Sequence, residues 1–67
     1  MVSEEPTRKM VKTLRKAGWS PTAAFVGSHR KWSSADGSVT MSIPEGHSNI
    51  SPGVVRQILA AIERSKQ

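Results

Sequence analysis

Apolar residues recur along the chain first at helical and then at strand spacing, and the changes of period mark out the elements. Met10, Val11, Leu14 and Ala17 follow the i, i+1, i+4, i+7 stripe of an amphipathic helix. The stripe predicts a helix over 8–17, with Thr7 as its N-cap and Gly18 as the left-handed residue that ends it. The stretch 19–43 reads as three strands. Pro21 cannot donate to a ladder, so the first is expected only over 23–26. Gly27-Ser28 is a turn signal, and 29–34 can return as the second strand. Asp36-Gly37 is a strong hairpin signal. After it Val39, Met41 and Ile43 alternate with Ser38, Thr40 and Ser42, as in a strand with one buried face, until Pro44 stops it. Ser51-Pro52 reads as the N-cap and first residue of a second helix. Val55, Ile58, Leu59 and Ile62 give that helix its apolar face, and Arg64 and Lys66 suit its C-terminal end.

The order α-β-β-β-α predicts an α+β fold: a three-stranded antiparallel sheet with both helices on one face. One domain is expected over residues 1–67, with flexible ends at 1–6 and 65–67. The expected core is the two aliphatic stripes, Phe25, and one or both of Trp19 and Trp32.

Charge changes the picture more than length does. Ten Lys and Arg against five Asp and Glu give a net charge of +5, which points to a polyanion or an acidic partner. The excess is uneven: Arg8, Lys9, Lys12, Arg15 and Lys16 lie in or beside the first helix, whose outer face carries no acid. The absence of cysteine removes disulfides, thiolate nucleophiles and zinc–cysteine sites together. No apolar run approaches the ~18 residues of a membrane span, and the N-terminus lacks the basic and apolar regions of a signal peptide. A soluble cytoplasmic protein is the expectation.

Few residues are equipped for chemistry. The carboxylates are scattered, no spacing matches a metal site, and Gly27 and Gly37 each sit alone in a turn rather than in a phosphate loop. That leaves His29 and His47, the only side chains suited to proton transfer near neutrality. Strand alternation places His29 and Lys31 on one face and Arg30 and Trp32 on the other. With Trp32 in the core, His29 and Lys31 face solvent side by side. His47 lies in a loop before the second helix.

Taken together the motifs resemble the HicA family of toxin–antitoxin ribonucleases, over nearly the whole chain from Thr7 to Ile62. The first helix ends Leu14-Arg15-Lys16-Ala17-Gly18-Trp19, and Gly27-Ser28-His29 looks like the family's Gly-Ser-His motif. Asp36-Gly37, a strand ending in Pro44, and Pro52-Gly53-Val54-Val55-Arg56-Gln57-Ile58-Leu59 follow in the family's order. Arg30 stands where many members have a second histidine, and His47 lies three residues after Pro44 where the family often has one two residues after.

The resemblance implies a fold like the double-stranded RNA-binding domain and a metal-independent endoribonuclease acting on mRNA, without a cofactor. His29 falls on the family's catalytic histidine, and Gly27 and Ser28 shape its turn. On that basis Lys31 and Arg30 would stabilise charge on the phosphorane-like transition state. Lys12, Arg15 and Lys16 would hold the RNA backbone. The second proton-transfer group is His47 or water. A HicB-like antitoxin would cover His29 and the basic helix, and the toxin alone is expected to be monomeric. Two alternatives stay open on sequence: a non-catalytic RNA-binding module of the same fold, and a small protein whose basic face docks an acidic partner.

Overall fold

The computed structural model describes residues 3–66. Its elements run β1 (Glu5–Pro6), α1 (Thr7–Lys16), β2 (Ser20–Val26), β3 (His29–Ser33), β4 (Thr40–Ile43), β5 (Asn49–Ile50) and α2 (Pro52–Ser65). The expected antiparallel sheet is present in the order β2-β3-β4. Burial along its paired positions alternates as one covered face requires. Trp32 opposite Met41 and Arg30 opposite Ile43 are buried or half-buried, whereas Lys31 opposite Ser42 is exposed. Met10 and Leu14 of α1 share one core cluster with Val55, Ile58, Ala61 and Ile62 of α2, around Trp32 and Ile43. Both helices therefore pack on the same face of the sheet.

Helix α1 starts one residue earlier than its stripe predicts, at Thr7, with Pro6 in the N-cap position and no side-chain cap. The Thr7 hydroxyl is used elsewhere, donating to the carbonyl of His47. The other end is as expected. The Gly18 N–H reaches the Arg15 carbonyl and the Trp19 N–H the Leu14 carbonyl, each at 3.0 Å, which is a Schellman stop with Gly18 at φ +88°. At the start of α2 the predicted Ser51-Pro52 pair occupies the N-cap and first positions, without a side-chain cap bond.

Strand β2 is longer than Pro21 predicts, beginning at Ser20. It is an edge strand, so Pro21 can sit opposite Trp32 with its donor-less nitrogen outside the ladder. Between Pro21 and Phe25 the register slips, and Thr22 fills in: its hydroxyl donates to the Lys31 carbonyl at 2.9 Å and accepts the Ala24 N–H at 3.1 Å. Strand β3 ends one residue early because Ser34 turns inward to build the next turn. Strand β4 begins only at Thr40.

Two core assignments are corrected. Phe25 is 52% exposed: it lies towards the end of the edge strand, where its ring packs on the Arg30 guanidinium instead of under a helix. Leu59 is 44% exposed, and Ala61 takes the buried place on α2. Trp19 and Trp32 are both buried.

The sequence gives no sign of the second sheet. Glu5 pairs with Ile50 and Pro6 with Asn49, antiparallel. Glu5 and Pro6 belong to the end expected to be flexible; there the ladder, and the Thr7 N–H donating to the Ser48 carbonyl at 3.0 Å, join the chain to the segment before α2. Ser65, also expected in a flexible end, closes α2 and accepts the Trp19 indole N–H at 3.1 Å. Residues 1, 2 and 67 of those expected ends lie outside the described residues.

Candidate active site

The β2–β3 turn and the loop from Pro44 to Ser48 meet edge to edge. Gly27, at φ +61°, takes a left-handed conformation that lets β2 reverse directly into β3, so His29 begins its strand immediately after the turn. The Gly46 N–H donates to the Ser28 carbonyl at 2.9 Å. The approach is close enough that a Cβ on Gly46 would stand 2.4 Å from the Ser28 Cβ. On the far side the loop is pinned by Thr7, and within itself by the His47 N–H donating to the Pro44 carbonyl at 3.1 Å.

This packing brings the two histidines together. Their ring centroids are 6.1 Å apart, with the rings inclined at 63°, and both side chains are exposed. The Ser28 hydroxyl is 3.3 Å from His47 Nε2. The rings border a hollow of about 220 Å³ that also touches Pro44, Ser51 and Val54 at the start of α2. An exposed imidazole pair over a small hollow can take a proton from one atom of a bound substrate and give one to another.

The other candidates are distributed as follows. Lys31 is exposed and shares the open face of β3 with His29 by alternation. Arg30 does not join them. It lies half-buried on the opposite face, its guanidinium 4.3 Å above the Phe25 ring and its Nε 3.7 Å from Glu45 Oε2. Strand alternation and this pairing turn the Arg30 guanidinium, expected to act on the transition state beside Lys31, to the face opposite His29. Lys12, Arg15 and Lys16 are exposed on α1, with the Arg15 guanidinium 5.4 Å above the Trp32 ring. Lys9 is engaged by Glu5 at 2.9 Å, one turn before it.

Two residues of the site escaped sequence reasoning. Gly46 matters through its missing side chain, which no local pattern reveals. Glu45 accepts the Trp32 indole N–H at 2.6 Å as well as facing Arg30, so it fastens the histidine loop to β3 from the core side. Among the described residues no three His, Cys, Asp or Glu side chains converge as a metal site would require, and no helix is long and apolar enough to cross a membrane.

A family model described as the HicA toxin of bacterial toxin–antitoxin systems matches residues 7–63. The chain belongs to the HicA toxin family. The matched span runs from the first residue of α1 into the last turn of α2 and contains both histidines. No curated protein and no solved structure matches the chain. Membership makes this chain a toxin of a toxin–antitoxin system, which implies an antitoxin partner, within a family of ribonuclease-type toxins.

Proposed function

We propose that this HicA-family toxin is an endoribonuclease that cleaves mRNA by metal-independent proton transfer at the His29–His47 pair. The observation that carries the reading is the pair itself: two exposed imidazoles with centroids 6.1 Å apart, one of them in the Gly-Ser-His turn. One imidazole removes the proton of a ribose 2′-hydroxyl as that oxygen attacks the neighbouring phosphorus. The other, protonated, gives its proton to the departing 5′-oxygen as the P–O5′ bond breaks. The products are a 2′,3′-cyclic phosphate and a 5′-hydroxyl, and no water is consumed in that step. Each correctly placed proton transfer is worth typically about 10²–10⁴ in rate. Lys31 offsets charge on the pentacoordinate phosphorus, Ser28 orients the His47 ring, and Lys12, Arg15 and Lys16 hold the RNA backbone.

The partner that fits is a HicB-like antitoxin that covers the histidines and the basic face of α1, with the toxin alone monomeric and cytoplasmic. End-group analysis of RNA incubated with the toxin and excess chelator tests the chemistry. Cyclic phosphate and 5′-hydroxyl ends are expected, together with resistance of any linkage whose 2′-hydroxyl is replaced by hydrogen. RNA bound but left intact points to the non-catalytic binding module, and 3′-hydroxyl ends rule out this route.

A further inference from the structure

A second, larger hollow of about 730 Å³ lies between α1 and the loop that carries His47. That volume is within the ~300–1,000 Å³ typical of small-ligand sites. Pro6, Arg8 and Val11 form one wall, and Glu45, Ser48 and Asn49 the other. Asn49 also borders the hollow of the histidine pair, so the two hollows adjoin at that residue. Its side-chain amide, with two donors and an acceptor, has no hydrogen-bond partner among the described residues, and the Arg8 guanidinium has no acidic partner among them.

We infer that this groove holds one unstacked nucleobase of the RNA strand, next to the phosphate that is cleaved, with Asn49 reading its edge and Arg8 lying against its face. The inference rests on the ribonuclease reading above. Arg8, Lys12 and Arg15 recur at i, i+4 and i+7 on one side of α1, a cationic row about 10 Å long that leads to the groove mouth. Phosphates follow that row. Glu45 on the groove wall is engaged by Trp32 and Arg30, and Arg8 at the mouth is the one cation of the lining, so the interior offers little to a phosphate, whereas a neutral base needs no counter-charge there. Pro6 and Val11 give the base an apolar surface. Sequence-specific RNA recognition works in this way, with a splayed base stacked on an arginine plane and hydrogen-bonded along its edge.

The test is titration of the toxin with 2′-deoxy trinucleotides that differ only in one base, followed by amide NMR shifts. The proposed chemistry cannot cleave these ligands, so binding is read independently of activity. The expected result is shifts at Arg8, Ser48 and Asn49, affinities that differ between bases by about fivefold or more, and loss of that difference in Asn49→Ala. Equal affinities for all bases, or shifts confined to residues 12–16, would overturn the inference. RNA cleaved while the groove amides stay silent overturns the groove alone. Groove shifts without RNA cleavage support the groove as a base site and overturn the ribonuclease reading instead.

Discussion

Gly46 and Gly53 differ in what a methyl group would meet, and the difference bears directly on the site. A Cβ at Gly46 would press into Ser28, whereas at Gly53, in the first turn of α2, it meets nothing within 4 Å. Gly46→Ala should therefore push the His47 loop off the β2–β3 turn, costing about 1–3 kcal/mol as overpacking does. Gly53→Ala should gain up to about 1 kcal/mol by restricting the unfolded chain. Urea unfolding measures both. RNA cleavage should fall in Gly46→Ala well beyond the fraction unfolded, because the imidazoles are no longer opposed. At this scale the sequence was informative about His29, whose exposure follows from alternation with Trp32. His47 was harder to place, since its approach depends on a residue that acts by lacking a side chain.

The elements with a repeating pattern were legible, and those without one were not. The stripes of α1 and α2, the alternation in β4 and the turn glycines fixed the order and one-sidedness of the main sheet. The β1–β5 ladder is two residues long on each side, too short for any period, and it buries Ile50, which no stripe contains. Phe25 misled because hydrophobicity marks burial only where another element arrives to cover it. The β3–β4 turn carries its own pH dependence. Asp36 accepts from the Ser38 N–H at 3.0 Å, the Ser38 hydroxyl at 2.7 Å and the Ser34 hydroxyl at 2.9 Å. Those bonds, the Ser38 backbone foremost, favour the carboxylate and lower its pKa from 3.8 to about 2. A carboxylate whose pKa is lowered by folding contributes stability above its unfolded value and loses it as pH falls through the folded one. Thermal unfolding of the protein should thus show a loss between pH of about 4 and about 2 that Asp36→Ala lacks. An unchanged acid profile in the variant would show that the turn bonds do not persist in solution.

Across the whole molecule the net charge of +5 acquires a direction. Lys9 is partnered by Glu5 and Arg30 by Glu45, which leaves Arg8, Lys12, Arg15 and Lys16 as the cations of α1 without an acidic partner among the described residues. Single-stranded binding loses affinity with log[salt] at about −0.7 per phosphate neutralised, so backbone contacts from Lys12, Arg15 and Lys16 give a slope near −2. Lys12→Ala combined with Lys16→Ala should reduce that slope by about 1.4, with little change in which bonds are cut, because backbone contacts position without reading sequence. Fluorescence anisotropy of a labelled RNA over a salt series provides the measurement. The proposed chemistry depends on the histidine pair, of which His29 is the member set in the Gly-Ser-His turn. The most direct measurement is the single-turnover cleavage rate of one RNA by the wild-type toxin and by His29→Ala, both in excess chelator. Cleavage by the wild type with a loss of at least about 10²-fold in the variant is expected, whereas equal rates in the two proteins would contradict a catalytic His29.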